Sequence, residues 1–287
     1  MSEQPDMHGK RCLVTGANSG MGRATAAALA RMGAQVIVAC RDQRKAESTR
    51  DTLAAETGNT DLDCLWGELA SLAQVRTMAN EFLAREQPLD VLVNNAGMIS
   101  AARTLTVDSI EQTFAVNHLA CFLLTTALLP ALERAPRARI VTVASDVHRI
   151  ARYDADNLQL ERGYGAYRAY ALSKLANIMF THELARRLRG TNVTANCCHP
   201  GYVGSNFGNS SNVVFRAIMR VSRPFLASTE RGAQTAIHLA SSPEVEGISG
   251  QYFVNRKVAK PARIAVDDAR ARELWEISER LIAASAA

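Results

Sequence analysis

Short apolar stretches alternate along the chain with longer segments in which apolar residues return every three or four positions. The short stretches end at Thr15, Cys40, Trp66, Val93, Ala144 and Cys197, and "GQYFV" at 250–254 adds a later one. β-Branched and apolar content makes each a strand. The helical patterns cover 21–32, 43–56, 71–86, 107–133, 165–189, 229–241 and 267–284. "VIVAC", "LDVLVN" and "RIVTVA" are nearly continuous apolar runs rather than alternating ones, the mark of strands buried on both faces. The pattern therefore predicts an α/β fold: a doubly wound parallel sheet of about seven strands with helices on both faces.

The alternation continues to the end of the chain with no linker, charge block or repeat, so residues 1–287 are expected to form one domain. Within it, 8–255 forms the core, 205–228 is a candidate lid and 256–287 a C-terminal extension. In such sheets ligands bind where the strands end, so the residues just after each strand matter most.

Composition narrows the function. Of the 287 residues 47% are apolar, and the net charge of +5 comes from scattered Lys and Arg, which disfavours nucleic acid and suits small anionic ligands. The six cysteines show neither zinc-type spacing nor the density of a disulfide scaffold, pointing to a reducing, cytoplasmic setting. His199 stands in "CCHP", but three adjacent strand residues cannot converge on one ion, so no metal is expected. The first residues lack an apolar leader, and the longest apolar run, Leu119 to Leu132, holds fourteen residues, too few for a spanning helix. A soluble protein with no transmembrane segment is the expectation.

Two stretches carry chemistry. In "TGANSGMG", Gly16, Gly20 and Gly22 lie between the first strand and the first helix, with Asn18, Ser19 and Met21 among them. Such glycines let the backbone approach a pyrophosphate while the helix N-terminus offers free N–H groups to it. In "GYGAYRAYALSK", Tyr164, Tyr167 and Tyr170 recur at intervals of three. Residues four apart share a helical face, which pairs Tyr170 with Lys174, Tyr167 with Ala171 and Tyr164 with Arg168. Bringing a phenol from about 10 to about 7 takes roughly 4 kcal/mol in favour of its anion, and only Tyr170 has a lysine beside it.

With "NNAG" at 94–97, the Asn117 of "VNH", the Ser145 of "VAS" and "HPG" at 199–201 following in order, the chain resembles the short-chain dehydrogenase/reductase family, in its single-domain Rossmann-type branch. "ACRD", "SKLANIMFTHELARRL" and "EGISGQYF" look most like its retinol dehydrogenase and protochlorophyllide reductase neighbourhood. The resemblance implies interconversion of an alcohol with an aldehyde or ketone by hydride transfer. Tyr170 would be the acid/base and Lys174 would lower its pKa and hold the nicotinamide ribose. Ser145 would hydrogen-bond the substrate oxygen, and Asn117 would order a water that relays protons. A catalytically silent NADP-binding redox sensor is the alternative, disfavoured because such proteins typically lose the Tyr or Lys.

The cofactor choice turns on "VACRDQRK". Cys40 stands where NAD-binding relatives place an acid and Arg41 follows, so NADP(H) is expected; Asp42 is the alternative acid, although it lies past the strand's end and reads more as a helix cap. By resemblance Glu68 and Leu69 contact the adenine, and Asn95, Ala96 and Gly97 line the cofactor. Pro200, Gly201, Val203 and Ser205 bracket the nicotinamide carboxamide. On the substrate side stand Tyr164, Tyr167, Phe207, Phe215 and Ile218, with His148 either lining the entrance or solvated in a loop. Val214, Ile218, Val221 and Phe225 recur at helical spacing opposite Arg216, Arg220 and Arg223. A helix of that kind closes over an apolar substrate, lies on a membrane surface or covers core. Relatives associate as homodimers or homotetramers, and the same is expected here by resemblance.

Overall fold

The computed structural model describes residues 5–201 and 228–285. Its centre is an eight-stranded sheet in the order β3-β2-β1-β4-β5-β6-β7-β8. The strands are β1 (Arg11–Thr15), β2 (Gln35–Cys40), β3 (Leu62–Trp66), β4 (Val91–Asn94), β5 (Ala138–Val143), β6 (Val193–His199), β7 (Tyr252–Val254) and β8 (Lys257–Ala259). The first seven pair in parallel and β8 runs antiparallel to β7. The helices are α1 (Gly20–Arg31), α2 (Gln43–Thr57), α3 (Leu72–Leu83), α4 (Gln112–Arg134), α5 (Ala166–Arg187), α6 (Thr229–Ser241) and α7 (Asp268–Ala284).

Side chains alternate across the strands and divide the core in two. Leu13, Ile37, Leu65, Leu92 and Ile140 join the apolar faces of α3, α4, α5 and α7. Val14, Val36, Val38, Val93 and Val141 pack against α1, α2 and α6 on the other side. Runs such as "VIVAC" are apolar throughout because helices cover both faces.

Two elements differ from the sequence expectation. β8 is an eighth strand inside the C-terminal extension, turned back by Asn255 and Arg256 at φ 49° and 64°. Positive φ at two successive residues is what a tight hairpin turn demands. The fourth helix begins at Gln112 rather than near 107, because Leu105 and Glu111 pair across a loop in which Ser109 takes φ 59°. Glu111 then caps the helix, its carboxylate accepting from Thr113 N at 2.9 Å and Phe114 N at 2.7 Å. α4 is long and apolar enough to cross a bilayer, but it is mostly buried inside the protein. Its fourteen-residue apolar run is core.

Strand order reverses at β1, whose neighbours β2 and β4 leave it in opposite directions. Crevices open at such switch points beyond the strand ends.

Candidate active site

A cleft of about 620 Å³ opens there, lined by the 15–22 loop, the ends of β2 and β3, and residues 95–101. Gly16 holds φ 66° and Gly20 φ 56°, a left-handed backbone that glycine adopts without strain. At Gly22 a side-chain carbon would overlap the Gly16 carbonyl and the Asn95 amide, so glycine is what lets loop and helix close together. α1 has no acidic residue in its first turn, and Ser19 makes no side-chain cap bond. Its N–H groups are left to an anion.

Thr15 shapes this loop, and the sequence reading passed over it. Its hydroxyl accepts from Asn95 N and Ala96 N, both at 3.0 Å, while Asn95 Nδ2 donates to Thr15 O at 2.8 Å. The end of β1 is thereby bolted to the turn after β4. The signal was available in "VTG", a hydroxyl residue closing a buried strand.

At the outer end, Arg41 is exposed and its Nε lies 3.7 Å from Glu68 Oε2. Asp42 caps α2, accepting from Lys45 N at 2.9 Å. Lys45 also lines the cleft, a second cation near Arg41 that the sequence reading did not single out. Glu68 accepts from Ala70 N at 3.0 Å, and Leu69 lines the cleft beside it.

Behind Gly97, at the inner edge of the cleft, four side chains gather. Lys174 is buried and its Nζ donates to Val143 O at 2.8 Å, 5.6 Å from the centroid of the Tyr170 ring. Ser145 Oγ hydrogen-bonds Tyr170 and opposes the upward push of burial on its phenol. Asn117 Oδ1 accepts from Met98 N at 2.7 Å, and its Nδ2 donates to Met98 O at 2.9 Å and Ser173 Oγ at 3.0 Å. A side-chain carbon at Gly97 would stand 3.4 Å from Asn117 Oδ1 and 3.5 Å from Lys174 Nζ. Gly97 thus keeps open the space between them.

Charge is held back here by burial, which lowers Lys174 to about 8 and raises Tyr170 to about 12. From the groups of this chain alone, Tyr170 is a protonated phenol at neutral pH.

Asn117 sits in a π-turn, Ala115–Leu119, that interrupts α4. Such turns are rare within α-helices and frequent at functional sites. Ser145 begins a 3-10 turn, Asp146–Ile150.

His148 does not line an entrance. It is fully buried, with Nδ1 2.7 Å from Ser145 O and Nε2 accepting from Ala262 N at 3.0 Å. Nor is it solvated in a loop, because the C-terminal segment covers it. Tyr164 donates to Ser100 O at 2.8 Å beside the cleft, whereas Tyr167 is exposed at the start of α5. Pro200 and Gly201 follow β6, and Gly201 takes φ 85°. Val203, Ser205, Phe207, Phe215 and Ile218 lie outside the described residues, as does nearly all of the candidate lid. No cluster of His, Cys, Asp or Glu among the described residues has the arrangement of a metal site. His199 instead accepts from Asp146 N at 3.3 Å, and all six cysteines are free and buried.

A doubly wound sheet with a glycine-lined anion cradle at its switch point and a Tyr-Lys-Ser-Asn group at the inner end defines a nucleotide-dependent oxidoreductase of the α/β class. The family follows directly: the short chain dehydrogenase model matches residues 10–213, and the chain belongs to that family. It is 45% identical over 292 residues to retinol dehydrogenase 14 of Homo sapiens, covering 96% of this chain and 87% of that protein. A solved structure from Mycobacterium Paratuberculosis superposes with TM-score 0.80 at 33% identity, covering 98% of this chain and 96% of the other. Another, described as an NAD(P)-dependent gluconate 5-dehydrogenase from Beutenbergia cavernae with NADP bound at low occupancy, gives TM-score 0.69 at 29% identity. That match covers 88% of this chain and 96% of the other.

Proposed function

We propose that this protein is an NADP(H)-dependent oxidoreductase that interconverts a lipophilic alcohol and its aldehyde or ketone, with Tyr170 as the acid/base. The observation that carries the reading is the meeting of Tyr170, Lys174, Ser145 and Asn117 behind Gly97, which lines the same cleft as the glycine loop. The residues present fit a dinucleotide. The 16–22 loop and the start of α1 would hold the pyrophosphate, and Glu68 and Leu69 the adenine. Arg41, helped by Lys45, would hold a 2′-phosphate. NADP(H), when bound, supplies or accepts the hydride, and its oxidised ring is positively charged.

The protein's own groups manage the proton. Kept protonated by burial, Tyr170 donates its hydroxyl proton to the carbonyl oxygen of the substrate as that oxygen gains charge, and Ser145 Oγ donates a hydrogen bond to the same oxygen. Lys174, fixed on Val143 O, places its ammonium beside the phenolate that remains and stabilises it. Through its bonds to Met98 N, Met98 O and Ser173 Oγ, the Asn117 amide holds the 97–98 backbone against α5.

Likeness to retinol dehydrogenase 14 supports an apolar, retinoid-like substrate, as do Met98, Ile99 and Val116 in the cleft lining. The test is a panel of apolar aldehydes and ketones, retinal included, with NADPH and NADH, on the protein and on Tyr170→Phe. NADPH oxidation that falls by about three orders of magnitude in Tyr170→Phe while NADPH binding persists is the expected result. Near-normal turnover of the variant would remove Tyr170 from the mechanism. NADPH binding without turnover of any compound would favour a redox sensor.

A further inference from the structure

The turns that carry Asn117 and Ser145 lie on separate elements, and a buried histidine in each bonds the C-terminal segment after β7. His118, next to Asn117 in the π-turn, places Nε2 3.0 Å from Ser278 Oγ on α7. The Ser278 hydroxyl donates its single proton to Leu274 O at 2.8 Å, so it accepts from the ring and Nε2 carries the hydrogen. His148, three residues after Ser145, faces Ser145 O with Nδ1 at 2.7 Å and Ala262 N with Nε2 at 3.0 Å. A carbonyl only accepts and an amide N–H only donates, so His148 also has one neutral tautomer. Both rings are fully buried, and burial lowers both, His118 to about 4.

The packing around these bonds is rigid. His118 lies among Phe114, Phe122 and Phe180, with ring centroids 5.0, 6.3 and 6.2 Å away. Trp275 of α7 covers this group, edge-on to Phe122 at 4.6 Å and stacked on Phe180 at 5.7 Å. His148 stands edge-on to Tyr252 of β7 at 5.2 Å. None of the described residues after β7 lines the cleft. Besides the two histidines, the segment meets the Ser145 turn where Arg149 Nη2 donates to Lys260 O at 2.7 Å, and α7 packs along α5.

We propose that the C-terminal segment is a brace that sets the positions of Asn117 and Ser145, through His118 bonded to Ser278 and His148 bonded to Ala262. His118 and His148 are then positioning residues for the reaction, an assignment that rests on the function proposed above. Displacing a reacting group by an ångström costs orders of magnitude in rate, so loosening either turn lowers turnover far more than it weakens cofactor binding, whose phosphate and adenine contacts lie at the far end of the cleft.

The test uses two independent variants. Ser278→Ala removes the hydroxyl that receives His118. Ala262→Pro removes the N–H that His148 accepts, at a φ of -59° that proline tolerates. Asp267→Ala, which removes the α7 cap accepting from Arg270 N, loosens the helix without touching either histidine and is the control. Each is read by kcat, by KM for the carbonyl compound, by NADPH affinity from fluorescence, and by hydrogen exchange of peptides 112–120 and 144–150. In Ser278→Ala and Ala262→Pro, kcat is expected to fall about tenfold with NADPH affinity within about twofold. Exchange should quicken in 112–120 for Ser278→Ala and in 144–150 for Ala262→Pro, while Asp267→Ala keeps kcat within about twofold. Unchanged exchange in both turns, a parallel loss of NADPH affinity, or an equal fall in kcat for Asp267→Ala would overturn the brace. The variants cut separate bonds, so misfolding of one leaves the other decisive. If the unaltered protein reduces no carbonyl compound, exchange still decides: quickened turns keep the brace and only the functional reading falls.

Discussion

His118 is a titratable residue held wholly away from water. Its folded pKa is about 4 against 6.5 when solvated, because burial disfavours the imidazolium. The unfolded chain therefore takes up a proton at a pH where the folded protein does not. The stabilisation is complete above about pH 6.5 and is lost as pH falls towards 4, by about 3 kcal/mol in all. Urea unfolding at about pH 7 and about pH 4 should show a loss about 3 kcal/mol larger in the unaltered protein than in His118→Gln. Arg41 carries a second prediction at this scale. A guanidinium on phosphate contributes about 1.5 to 3 kcal/mol, so Arg41→Ala should cut the preference for NADPH over NADH by about ten to a hundredfold. An unchanged ratio of the two kcat/KM values would assign the choice elsewhere, with Lys45 the next residue to substitute.

Among elements, α4 and its entry loop depend on one buried carboxylate. Glu111 is almost wholly buried and satisfies two of the N–H groups that a helix start leaves open. Glu111→Ala removes both bonds and should cost about 2 kcal/mol or more in thermal or urea unfolding. The sequence pattern placed this helix start too early because apolar periodicity runs back through Val107 and Ile110. The turn that stops it needs Ser109 at positive φ and a partner for Leu105, neither of which has a periodic signature. The π-turn at 115–119 was equally hidden, since one extra residue in a helix leaves its apolar spacing nearly unchanged.

For the whole molecule, the C-terminal segment decides whether the sheet and helices form one unit. Trp275 packs on Phe122 and Phe180, Arg187 lies 4.1 Å over its ring, and Arg76 donates to Ile282 O at 2.8 Å. A chain ending at Val254 would lose β8 and α7 and expose these rings, and it should show no cooperative unfolding transition. Trp275→Ala in the full chain should lose about 3 to 5 kcal/mol by urea unfolding. A soluble, cooperative 1–254 fragment would instead make the segment a separate appendage.

Local patterns determined what depends on near neighbours. Strand and helix order follow from periodicity. The anion cradle follows from glycines between a strand and a helix, and the Tyr170–Lys174 pair from a spacing of four on one helix. Asp42 was readable as a cap for the same reason, since its partner is three residues away. Tertiary structure alone decided the rest, because those partners are far apart in the chain. Thr15 meets Asn95 across 80 residues, His148 meets Ala262 across 114, and His118 meets Ser278 across 160. A lone histidine after a strand looks the same in sequence whether it faces substrate, solvent or a distant backbone amide. Only the closing of the C-terminal segment over the sheet made His148 and His118 buried, neutral and fixed.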